Sequence, residues 1–90
     1  MQTIERELTV VNKLGLHARS AAAIVRELSK FKSKVVLKKG DTTVDGKSIL
    51  DIITLDCPKG SRVIVRATGE DAAEAINALI ELFANRFGEE

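Results

Sequence analysis

Ninety residues, 44% of them hydrophobic, with 14 basic side chains against 13 acidic ones, describe a single folded domain spanning 1–90 rather than a disordered chain. A net charge of +1 gives no electrostatic reason for nucleic acid or a membrane surface as partner, and no apolar run is long enough to span a bilayer. One cysteine, Cys57, excludes an internal disulfide and a cysteine metal cluster; with no apolar signal-peptide core at the N-terminus, the expectation is a cytoplasmic monomer without metal or cofactor.

Residues 5–11 alternate, with Leu8 and Val10 on one side and Glu7 and Thr9 on the other, which predicts a strand covered on one face. Over 18–30 the apolar residues Ala21, Ile24, Val25 and Leu28, followed by Phe31, recur at helical spacing. Residues 34–39 read as a strand, Gly40-Asp41 as a turn, and 42–44 as a short strand closing a hairpin. Asp45-Gly46-Lys47 breaks that strand, and Ser48 suits the N-cap of a short helix running to about Thr54. Pro58 and Gly60 mark a loop, after which 62–68 alternate with Val63, Val65 and Ala67 on one face and Arg62 and Arg66 on the other. Gly69 is expected to open a long helix with Glu70, Asp71 and Glu74 in its first turns and Arg86 near its end, before Gly88. Its stripe is Ala72, Ile76, Leu79, Ile80 and Phe83. The order βαββαβα buries every stripe as an α+β two-layer sandwich, one four-stranded sheet with three helices on one face.

The only histidine, His17, stands where a strand pattern gives way to a helix pattern, in Leu14-Gly15-Leu16-His17-Ala18-Arg19-Ser20. The first turn of a helix carries N–H groups with no intrahelical partner and the positive end of the dipole, so it attracts anions. A histidine in such a place is often a cap or a surface residue. Three neighbours favour chemistry instead: Gly15 allows a sharp turn, Ala18 is too small to shield the ring, and Arg19 offers paired donors of a geometry suited to phosphate. A pure cap is more usually Ser, Thr, Asp or Asn. The arrangement suggests a phosphoryl group carried on histidine.

The surroundings of that motif extend the argument. Leu14 to Arg19 followed by Ala21-Ala22, then Gly46-Lys47-Ser48-Ile49-Leu50, Leu55-Asp56-Cys57-Pro58-Lys59-Gly60 and Ala67-Thr68-Gly69-Glu70-Asp71, resemble the HPr family across essentially the whole chain. These are the histidine-containing phosphocarriers of the phosphoenolpyruvate-dependent phosphotransferase system. The resemblance implies an open-faced β-sandwich with an antiparallel sheet, and a phosphocarrier rather than a free-standing enzyme. It also implies that His17 accepts a phosphoryl group on Nδ1 from phosphorylated Enzyme I and passes it to an EIIA-type protein, with Arg19 stabilising the phosphate. Asn12-Lys13-Leu14-Gly15, Leu55-Asp56 and the tail 82–88 look more like the nitrogen-related branch, NPr, whereas Gly46 to Leu50 looks like the sugar-transport branch. Where the family usually has proline after the arginine, this chain has Ser20, expected to join Ala18 in contacting phosphate.

Ser48 is a helix cap, and by resemblance also the residue that an HPr kinase/phosphorylase phosphorylates in many members. Ile49, Leu50 and Ile53 exceed what a short helix can bury, so part of this surface is expected to lie exposed near His17, completed by Ala18 and Ser20, and to dock partners. Cys57 reads as a small loop or core residue, and Lys38-Lys39 and Arg62/Arg66 as solvated strand faces. The alternative function is a regulatory module of the same fold that acts by docking rather than relay. An RNA-binding module is disfavoured by the near-neutral charge and the absence of Trp and Tyr.

Overall fold

In the computed structural model, which describes residues 1–89, the stripes predicted from the sequence pack against a single sheet, except that Ile80, expected in the α3 stripe, is 37% exposed because it lies at the edge of the helix's buried face. The elements are β1 (Gln2–Thr9), α1 (Ala18–Leu28), β2 (Lys34–Lys39), β3 (Thr42–Asp45), α2 (Ile49–Thr54), β4 (Arg62–Gly69) and α3 (Ala72–Ala84), followed by a 3-10 turn (Arg86–Gly88). The strands lie in the order β1-β4-β2-β3, and each neighbouring pair is antiparallel. The fold is the open-faced α+β sandwich implied by the element order.

Register explains which face is buried. Leu37 stands opposite Val65, Val35 opposite Ala67 and Leu8 opposite Val63, so these side chains share the face beneath the helices. Val35, Leu37, Val63, Val65 and Ala67 are buried there under Ile24 and Leu28 of α1, Ile52 of α2, and Ile76 and Leu79 of α3. Each such side chain contributes roughly 1.5–3 kcal/mol by leaving water. The opposite face stays open, with Thr3 hydrogen-bonded to Thr68 and Glu5 paired with Arg66 at 3.0 Å. That exposed ion pair contributes at most about 1 kcal/mol.

Element ends depart from expectation where partners, rather than periodicity, set them. β1 begins at Gln2 because β4 is long enough to pair Gln2 with Gly69, and regular pairing stops at Thr9, although Val10 still donates to the Ser61 carbonyl at 2.8 Å. α1 stops at Leu28, with Ser29 as C-cap, so Phe31 packs on the core from outside the helix. Gly69 does not open α3; it is the last residue of β4, and Asp71 is the N-cap. Asp71 makes no side-chain cap and instead accepts from the N–H groups of Lys32, at 2.8 Å, and Ser33, at 2.9 Å, and from the Ser33 hydroxyl. The Ser33 hydroxyl bond, with those backbone bonds, holds the Asp71 carboxyl below the usual carboxylate range. Lys39 is only partly buried, and its ammonium donates to the Asp56 carbonyl at the surface. Arg86 belongs to the turn after α3 rather than to the helix.

Candidate functional site

The loop joining β1 to α1 is fixed by what it touches. Gly15 has φ +72, and a Cβ there would overlap the Cys57 carbonyl oxygen and come within 2.8 Å of Pro58 Cα. Leu16, buried, donates its N–H to the same Cys57 carbonyl at 2.8 Å. Cys57 is a buried residue whose backbone anchors this loop, and burial pushes its thiol up from the ordinary range. The next residue, His17, is thereby delivered to the N-terminus of α1.

His17 is the N-cap, with extended backbone at φ −114 and ψ −172. Its Nδ1 accepts the N–H of Arg19 at 3.3 Å, a long bond, and its own N–H donates to Ser20 Oγ at 2.9 Å. The cap is thus made by a ring nitrogen rather than by the usual side-chain oxygen. The side chain is 31% exposed, accessible to a protein partner from the surface. Arg19 is exposed, and among the described residues its guanidinium pairs with no carboxylate. Ala18 is exposed beside it.

Ser20 departs from expectation. It is fully buried, and its hydroxyl lies 3.0 Å from the Gly15 carbonyl and 3.2 Å from the His17 carbonyl while accepting from His17 N–H. It is therefore absent from the exposed surface, and its hydroxyl is engaged in the capping box and with the carbonyls behind it. The serine holds the histidine's backbone.

Two residues that sequence reasoning missed complete the site. Glu89 Oε2 is 2.8 Å from His17 Nε2, and Glu89 Oε1 accepts from Asn12 Nδ2 at 3.1 Å. Asn12, wholly buried, also donates from Nδ2 to the Gly15 carbonyl at 2.7 Å. Burial alone would raise the Glu89 carboxyl; the hydrogen bonds from Asn12 and His17, with the charges of His17 and Arg19, outweigh it and hold the group below the usual range. An ionised carboxylate only accepts, so the ring nitrogen facing it carries the proton and Nδ1 keeps the lone pair.

α2 packs against α1. Ser48 is its N-cap, half-buried, with Oγ accepting from Asp51 N–H at 3.2 Å. Ile52 is buried, whereas Leu50 is 76% exposed and Ile49 and Ile53 are partly so. Leu14, three residues before His17, is 67% exposed; it marks an apolar surface beside the histidine that periodicity could not flag, because it sits in a turn.

The family model described as "PTS HPr component phosphorylation site" matches residues 4–85. A phosphocarrier protein HPr from Xylella fastidiosa is 47% identical over 87 residues, covering 97% of this chain and 98% of its own. Among solved structures, HPr-C-His from Thermoanaerobacter tengcongensis superposes with a TM-score of 0.93 at 42% identity, covering 97% of this chain and 98% of that one. An HPr dimer from the same organism gives 0.77 at 43% identity, covering 91% and 94%.

Proposed function

Since the chain belongs to the HPr family, the phosphocarrier proteins of the phosphotransferase system, we propose that His17 is its phosphoryl acceptor, charged by phosphorylated Enzyme I and discharged to an EIIA-type protein. The observation that carries this reading is the position of Nδ1: lone pair available, at a helix N-terminus, on a ring open to solvent. The Nδ1 lone pair forms a bond to phosphorus as the bond from phosphorus to the donor atom breaks. Nδ1 then no longer accepts from Arg19 N–H, and that donor turns to a phosphoryl oxygen. Only one long hydrogen bond is exchanged, so the cap opposes transfer weakly in either direction. The Arg19 guanidinium supplies paired donors to the other oxygens, and Ala18 leaves room for the approach. A carrier must not hold its phosphoryl group tightly, and a shallow exposed site meets that condition.

Leu14, Ile49, Leu50 and Ile53, with Ala18, form the docking surface in this reading, supported by the exposure of these apolar side chains. Ser48 lies at its edge, where a phosphate added by an HPr kinase would bring charge into an apolar contact. Among the described residues no helix is long and apolar enough to cross a membrane.

Incubation with phosphoenolpyruvate and Enzyme I, followed by intact mass, tests the reading. One acid-labile phosphoryl group is expected, absent in His17→Ala. Phosphorylation that survives the substitution would rule out His17 as the acceptor, and none with Enzyme I of either branch would favour the regulatory module that acts by docking alone.

A further inference from the structure

The tail that carries Glu89 to the histidine is not a passive end. Arg86, Phe87 and Gly88 lie one after another in the left-handed region, at φ 56, 56 and 78, where the two that are not glycine cost roughly 1–3 kcal/mol each. Such a turn persists only if its surroundings hold it. Phe87 does so: it is buried and stacks edge-on against Phe83 of α3, with ring centroids 4.9 Å apart. Immediately beyond the turn, the Glu89 carboxylate accepts from two donors at once, the buried Asn12 amide on Oε1 and the imidazole Nε2 on Oε2. Asn12 is itself fixed by the Gly15 carbonyl, and this same Nδ2 reaches both acceptors, so the amide orientation is set by both partners. A buried amide, a carboxylate and the ring form one chain of contacts ending at the reacting side chain.

We propose that Glu89 is a positioning residue that selects the Nε2–H tautomer of His17 and orients the ring so that the Nδ1 lone pair faces the incoming phosphorus. This rests on the reading of His17 as phosphoryl acceptor and goes beyond it by assigning the group that prepares the acceptor. When the Nδ1–phosphorus bond forms, the electron pair of the broken donor–phosphorus bond leaves with the donor. The ring keeps its Nε2 proton and gains positive charge, which the Glu89 carboxylate opposes across 2.8 Å. On discharge, phosphorus departs, the pair returns to Nδ1, and the ring is again neutral with its proton on Nε2. No proton moves in either direction. A carboxylate suits the place better than an amide, because Asn12 Nδ2 and His17 Nε2 face different oxygens, and glutamine would set its NH2 donor against one of these two donors.

The test uses the whole chain labelled with 15N and long-range proton–nitrogen correlations of the His17 ring at about pH 8, above the ordinary imidazole range. The native chain is expected to show the Nε2–H tautomer almost alone. Glu89→Ala is expected to give a mixture of both tautomers and roughly tenfold slower phosphorylation by Enzyme I, the lower end of the loss seen when a carboxylate orienting a metal-bound histidine is removed. An unchanged tautomer ratio in Glu89→Ala, or a native ring protonated on Nδ1, overturns the proposal. The tautomer is read without any partner. A native chain that Enzyme I leaves unphosphorylated, while the tautomer still responds to Glu89→Ala, would therefore count against the carrier reading and leave tautomer selection standing.

Discussion

At Gly15 the backbone passes so close to the Cys57–Pro58 segment that any side chain would collide with main-chain atoms, in a conformation that other residues adopt only at a cost. The position of His17 two residues later depends on that close approach. Gly15→Ala is therefore expected to destabilise the fold by about 1–3 kcal/mol in urea denaturation and to shift the ring resonances of His17. Native stability with an unmoved ring would show that the loop tolerates a Cβ. The placement of Gly15, His17 and Arg19 at the start of α1 was legible in their spacing, because a glycine turn, an imidazole and a guanidinium at a helix start are a local pattern. Ser20 was read the wrong way: its place in the helix was evident, but whether a hydroxyl in the first turn faces inward or outward depends on the carbonyls behind it. Glu89 carried no signal at all. It meets His17 across 72 residues, through a turn whose conformation no composition rule favours.

Elements were legible where periodicity governs them and illegible where partners do. The stripes of α1 and α3 and the alternation of β2 and β4 follow from side-chain period alone. Gly69 looked like a helix opener because acidic residues follow it, yet pairing with Gln2 keeps it in β4, and Asp71 uses its carboxylate to tie down the segment between α1 and β2. The short α2 is the informative exception, too apolar for its size, with Leu50 exposed on it. Its cap provides a way to separate folding from docking. Ser48→Asp retains an effective N-cap, so stability should change by less than about 0.5 kcal/mol, since aspartate and serine are nearly equivalent there. The added charge should weaken binding to Enzyme I roughly tenfold, about 1.4 kcal/mol, in a titration calorimetry experiment. Equal loss of stability and affinity would assign Ser48 to folding only, and unchanged affinity would remove it from the docking surface.

For the whole molecule, the layout places His17 and Arg19 at the N-terminus of α1 in the helical layer, while the far face of the sheet stays open, with Thr3, Glu5, Arg66 and Thr68 on it. The element order was readable because each short apolar stripe needs a sheet to cover, and four strands with three helices admit few unknotted arrangements. The strand order β1-β4-β2-β3 was not readable from pattern alone, since it depends on pairings between distant segments. That order brings the loop after β1 beside the loop before β4, where Val10 exchanges hydrogen bonds with Gly60 and Ser61 and Leu16 bonds Cys57. His17 is thus carried on a loop clamped by its neighbours rather than on a free segment, and the proposed transfer depends on where its Nδ1 points. The most direct test of that claim is the site of attachment in the phosphorylated chain, read by 15N and 31P resonance. The account predicts phosphorus bonded to Nδ1 of His17, with the Arg19 amide proton strongly shifted as it moves from the ring to a phosphoryl oxygen. Attachment at Nε2, or an Arg19 amide that does not respond, would contradict it.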